Sequence, residues 1–216
     1  MRLYTLQRLL EHIYGIRLAY RVDDFLITDP DLATRLEGRK QPGEAREKLL
    51  VREEAGELQL ALYLDREVMQ RLMRNNPFRS LQEDNLEDFL LALEGVSHFL
   101  YLGWKAEFEQ GVSLLELELQ AEVDKFVTTL ALAARQKREW VPYHVHQRLF
   151  EHCHFDPSLE QEQLSRYRSA NHFAGRYCWR LEDRYLRRRR ISALMLELRH
   201  FYRLTQQQKI CHINSA

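Results

Sequence analysis

The sequence predicts an α+β fold, predominantly helical, with a small antiparallel β-sheet or hairpin near the N-terminus. Three observations lead there. The segment from Leu49 to Leu64 has the composition and central turn of a β-hairpin. From Asp65 onward, apolar residues recur only at helical spacing. Eight glycines, five prolines and 45% hydrophobic residues in 216 positions leave no low-complexity stretch and enough apolar surface for one continuous core. Residues 1–216 are therefore expected to form a single domain, with a helix and the sheet in 1–64, central helices in 65–136 and a basic helical region in 137–216.

Taken in order, MRLYTLQRLLEHIYGI spaces its leucines helically and lacks the apolar run and small-residue cleavage site of a secretory leader, so it reads as an amphipathic helix. Asp24 to Thr28 has the composition of a short strand, closed by Asp29-Pro30. Residues 34–47 are charged and carry Gly38, Pro42 and Gly43, and read as a loop. The hairpin follows, Leu49 to Glu53 and Leu58 to Leu64 around a turn at Ala55-Gly56. Asp65 can cap a helix to about Asn75, which Asn76-Pro77 ends because a residue before proline avoids the α region. A second helix runs from Asp84 or Asn85 to about Glu107. Ser113 can cap a third, Leu114 to about Gln136, with Glu116 completing a capping box. Pro142 precedes a short helix. Asp156-Pro157-Ser158 opens a long C-terminal helical region, either two helices or one kinked near Arg187 to Arg190.

Formal net charge is zero, yet residues 1–136 hold 17 basic against 24 acidic side chains and residues 137–216 hold 15 against 8. Attraction between the two parts explains this, as does a partner for the basic one. The longest apolar run falls short of the roughly 20 residues that span a bilayer, so no membrane association is expected. Cys153, Cys178 and Cys211 are odd in number and widely spaced, which disfavours a disulfide framework or a zinc ribbon and points to a reducing, cytoplasmic setting. P-loop, G-x-G-x-x-G and G-x-S-x-G motifs are absent, against nucleotide-dependent enzymes and serine hydrolases of those types.

The most informative feature is the apolar run Phe89 to Trp104, which carries Glu94 and His98 four positions apart. A carboxylate there is costly unless it reaches water, a cation or a metal. On a helix, Glu87, Glu94, Ser97, His98, Tyr101 and Lys105 fall in one narrow polar sector. Glu94 and His98 can then converge on one atom. The next helix adds Glu118 and Glu122 at the same spacing, and the four residues form a candidate site of nitrogen and oxygen donors for zinc, manganese or iron. The same stripe is also explained without metal, as the paired or wet edge of a buried helix.

The order hairpin, helix with LLALEGVSHFL, connection, then helix with ELQAEVDKF resembles the core of a zincin-type metallopeptidase over roughly residues 49–127. The resemblance implies Glu94 at the first histidine of the H-E-x-x-H motif, Gly95 at the catalytic glutamate, His98 at the second histidine and Glu118 at the third ligand. Glycine at Gly95 cannot deprotonate a bound water. The implied function is a non-catalytic or regulatory binding protein that binds rather than cuts, with a protein partner or a second copy of the chain as its counterpart. A metal-dependent hydrolase with its base relocated, for instance to Glu122, is the first alternative.

Two other stretches carry chemistry. Residues 144–154 hold four histidines and Cys153, but H-x-H on a helix splays its rings apart, so unless the segment is partly extended these read as partly exposed histidines on a short helix after Pro142. Arg184 and the run Arg187, Arg188, Arg189 and Arg190 lie among Tyr177, Trp179, Tyr185 and Tyr202, a composition suited to phosphate contact and base stacking. Nucleic-acid binding through these arginines is the second alternative.

Overall fold

The computed structural model describes residues 1–38, 45–54, 56–136, 142–152 and 160–215. Pro42, Gly43, Ala55, Cys153, His154 and the Asp156-Pro157-Ser158 start signal lie outside them. The chain divides into two compact units, Met1–Leu9 with Arg17–Glu109, and Leu10–Ile16 with Gln110–Ala216. The first helix, α1 (Leu3–Tyr14), contributes to both.

In the first unit Gln7 on α1 donates to the carbonyl of Tyr20 (2.9 Å) and accepts from the N–H of Val22 (2.8 Å), fixing a 3₁₀ turn over Val22–Phe25. The short strand β1 (Leu26–Ile27) follows, as expected from Asp24 to Thr28. Asp29-Pro30 does more than close it. Asp29 accepts from the N–H groups of Asp31 and Leu32 and Pro30 sits at the first helical position, so the pair opens α2 (Pro30–Leu36) within the expected loop.

Strands β2 (Glu47–Glu54) and β3 (Glu57–Leu64) form the expected hairpin, with Gly56 at φ +81° in the turn. Their antiparallel register runs from Glu54 opposite Glu57 to Glu47 opposite Leu64. β1 pairs with the other edge of β3, and it does so in parallel, Leu26 opposite Leu62 and Ile27 opposite Tyr63. The sheet is therefore mixed, correcting the expected antiparallel one. Parallel neighbours need a connection of a dozen or more residues, and residues 28–56, holding α2 and β2, supply it. Burial is confined to one end of the hairpin: Leu62, Tyr63 and Leu64 are buried, while Arg52 to Glu54 and Glu57 to Gln59 are exposed.

Asp65 caps α3 (Arg66–Arg74), accepting from Glu67 and Val68 N–H groups. α4 (Glu83–Ala106) starts in a Gln82/Asn85 capping box and packs on β2 and β3. Its Phe89, Leu93, Val96 and Phe99 are fully buried, each contributing roughly 1.5–3 kcal/mol. Gly95 permits a close approach, since a Cβ there would stand 2.7 Å from Leu62 Cδ1 and 2.9 Å from Glu47 Oε1. Buried Asp88 binds Arg71 through two hydrogen bonds (2.6 and 2.9 Å) and Arg46 through one (3.1 Å), joining α4 to α3 and to the start of β2.

The second unit is helical: α5 (Leu114–Arg135), α6 (Pro142–His146) running into a π-helical turn at Gln147–Glu151, α7 (Gln161–Leu181) running into another at Glu182–Leu186, α8 (Ile191–Arg203) and α9 (Gln206–Asn214). α5 packs on α7. Ser113 caps α5 through the Glu116 N–H (3.1 Å). Glu116 itself reaches α9, where it accepts from the Gln206 N–H (3.0 Å) and steadies a positive helix end. The core stacks Tyr14 on Tyr202 (4.0 Å between centroids) and Tyr177 on Phe201 (3.9 Å). Arg199 and Arg203 donate to the carbonyls of Ile13 and Tyr14 at the C-terminal end of α1. The described C-terminal region holds α7, α8 and α9, with α7 and its π-helical extension parted from α8 at Arg187 to Arg190 and α8 parted from α9 at Leu204 and Thr205.

Candidate metal centre

Glu94 and His98 lie one turn apart on α4, and Glu47 opens β2 on the strand packed against it. One donor atom from each of Glu47, Glu94 and His98 lies within 4.8 Å of the other two. His98 Nδ1 stands 4.0 Å from Glu47 Oε1, and these two side chains are 10% and 8% exposed. Glu47 Oε1 and His98 Nε2 are shut off from solvent. The close packing at Gly95 sets this geometry, because the Glu47 side chain runs directly over that glycine.

Two carboxylate oxygens and an imidazole nitrogen suit zinc, manganese or iron(II). Bonds of about 2.1 Å in a tetrahedral site separate donors by about 3.4 Å. The 4.0 Å between His98 Nδ1 and Glu47 Oε1 therefore requires a small rotamer shift to close around an ion. Below Glu94 the polar stripe is buried rather than wet: Ser97, Tyr101 and Lys105 are 0–1% exposed, and the Lys105 ammonium lies 5.4 Å from the Tyr101 ring centre and 5.8 Å from that of Trp104. Glu87 is exposed and pairs with Arg46.

The other two expected donors belong to the second unit. Glu118, on α5, lies 3.9 Å from the Arg166 guanidinium, and Glu122 accepts from Lys125 at 2.8 Å. Sequence reasoning missed Glu47, which stood at the end of the expected loop. A signal was present. Continuing the hairpin register outward from a two-residue turn at 55 and 56 carries Glu47 opposite Leu64, where a buried strand end meets the helix.

Asp124, one turn beyond Gln120 on α5, sits in a buried network of the second unit. Tyr14 donates to Asp124, Gln120 donates to Asp124 (2.8 Å) and to the Tyr14 oxygen (3.1 Å), and Lys209 donates to Gln120 (2.5 Å). Lys209 also lies 4.5 Å from the Phe201 ring centre. Burial first, then the Asp124 charge, pushes the Tyr14 hydroxyl well above the ordinary tyrosine range.

Among the histidines of 144–154, His146 Nε2 lies 2.9 Å from the Gly175 carbonyl, and Nδ1 lies 3.6 Å from Glu151. Arg184 and Arg187 to Arg190 are exposed. Arg187 pairs with Glu182 at 3.1 Å, and Arg189 takes a positive φ of 53° in the turn before α8, so the run points several ways. No described helix is long and apolar enough to cross a membrane. No protein-family model, curated protein or solved structure matches the chain.

Proposed function

We propose that the chain is a divalent-metal-binding protein in which Glu47, Glu94 and His98 hold the ion, and that occupancy fastens the β-hairpin to α4. One observation carries this reading: three metal-ligating side chains from two elements converge in a partly buried pocket of donors. The donor set is that of a binding site. Glycine at Gly95 offers no base, and the Leu62 and Glu47 side chains fill the space beside it. The role is therefore regulatory or structural, on a core similar to a degenerate metallopeptidase, with Glu47 rather than Glu118 or Glu122 completing the ligands.

The test is elemental analysis of protein purified without an affinity-tag metal column, before and after loading with zinc, manganese or iron(II). Near-stoichiometric metal in wild type and its loss in His98→Ala and in Glu47→Gln, both still folded by circular dichroism, is the expected result. Wild type that retains no metal after loading would overturn the proposal and leave the cluster as a packing contact between strand and helix.

A further inference from the structure

The second unit holds a different site. On α7 and its π-helical extension, Arg176, Arg180 and Arg184 recur every four residues, with Trp179 and Asp183 beside them, because residues three and four apart share a helix face. With His146 from α6 they line a pocket of about 430 Å³. Both π-helical turns adjoin it, one directly after His146 and the other containing Asp183 and Arg184, and such turns recur at functional sites.

Two of the three arginines donate to neutral groups. Arg176 donates to the Asn214 side-chain amide oxygen at 2.7 Å, and Arg180 donates to the carbonyls of His212 (2.8 Å) and Ile213 (3.4 Å). Among the described residues no carboxylate lies within ion-pair distance of any of the three. Arg180 is only 8% exposed, and its Nη2 is buried with no hydrogen-bond partner among the described residues. Burial, and then the charge on Arg184, pushes the Arg180 guanidinium below its ordinary value, while Glu197 and Tyr177 act the other way. A buried cation held by carbonyl oxygens and a tyrosine ring, with no carboxylate at ion-pair distance among the described residues, is stabilised by an arriving anion.

Arginine presents paired donors that match a phosphate. Trp179, 55% exposed on the pocket wall, offers a flat apolar face on which a base stacks. Asp183 repels a second phosphate there but accepts from sugar hydroxyls, the role a carboxylate plays in dinucleotide sites. We infer that this pocket binds a nucleotide, its phosphate on Arg176, Arg180 and Arg184 and its base on Trp179. The nucleotide is either free or the phosphorylated end of a single strand.

Isothermal titration calorimetry on the full chain with AMP, inorganic phosphate and a 5′-phosphorylated single-stranded trinucleotide tests this. Saturable binding of AMP or of the trinucleotide is expected, weakened about tenfold by Arg184→Gln and again by Arg176→Gln, two exposed positions where the fold survives. Trp179→Ala weakens AMP and leaves phosphate unchanged. A trinucleotide at least tenfold tighter than AMP identifies the strand end as the source, and equal or tighter AMP identifies the free nucleotide. Absence of saturable heat with all three probes overturns the inference, as does binding indifferent to the Arg176→Gln/Arg184→Gln pair. Phosphate bound as tightly as AMP, with Trp179→Ala silent, overturns the nucleotide assignment.

Discussion

Both units bury charged side chains, and they do so to opposite ends. In the second unit Asp124 and Lys209 are joined through Gln120, with Tyr14 closing the circuit by hydrogen bonds of ordinary length or shorter. In the first unit one donor atom from each of Glu47, Glu94 and His98 lies within 4.8 Å of the other two, with His98 Nδ1 4.0 Å from Glu47 Oε1, a grouping of ligand types from a strand and a helix. Buried polar groups that satisfy each other hold a fold in one arrangement. Ligand types gathered from a strand and a helix are suited to share an ion.

The largest expected effect lies in the satisfied network. Lys209→Met removes the cation and leaves Asp124 buried, at a cost of about 3–5 kcal/mol. Adding Asp124→Asn should return part of that loss, a coupling that urea denaturation of the single and double variants measures. Additive losses would separate the two residues and dissolve the comparison.

Next comes the helix–sheet contact of the first unit. Gly95→Ala drives a methyl group against Leu62 and Glu47 and should destabilise by about 1–3 kcal/mol. It should also blunt the gain from zinc, about 2.7 kcal/mol for wild type at a hundredfold excess over Kd. Thermal unfolding with and without zinc reads both effects. A neutral Gly95→Ala would mean that this contact does not position Glu47.

The smallest effect is a difference in alkaline response. Burial pushes Tyr14, Tyr177 and Tyr202 of the second unit well above the ordinary tyrosine value, whereas Tyr20 and Tyr63 of the first are raised less. The folded state keeps these hydroxyls neutral while the unfolded chain ionises near pH 10. Their contribution is therefore complete below about pH 10 and is lost as pH rises through the raised values. Ultraviolet titration should show Tyr14, Tyr177 and Tyr202 ionising only as the second unit unfolds. Under the same conditions Cys178, buried with its thiol pushed up, should resist alkylation that exposed Cys211 undergoes at once.

Local signals were legible in the sequence and the chain path was not. Asp65 and Ser113 cap their helices as expected, since capping depends on residues three apart. Asp29-Pro30 was legible too, but as a helix start, and a seven-residue helix has too little periodicity to outweigh the strand before it. The parallel pairing of β1 depends on where residues 28–56 travel, which no local pattern states. Part of the candidate metal centre shared this fate. Glu94 and His98 are neighbours by helical geometry alone, whereas Glu47 joins them only through the hairpin register and the close approach at Gly95. The proposed anion pocket was visible as scattered arginines, and only the turn after Leu186 sorted Arg184 from the run behind it.

Among the described residues, the strand order β1-β3-β2 leaves the other edge of β2 without a neighbouring strand, and the outer half of that strand is bathed in solvent with Val51 half uncovered. Such a flank is a template for another chain's backbone. Lys48, Arg52, Glu53 and Glu54 are spread along it, so an incoming copy in either direction would have to strip water from ionised groups before its first amide could pair. Charges that look wasted on a strand oppose the addition of a neighbouring molecule to its edge.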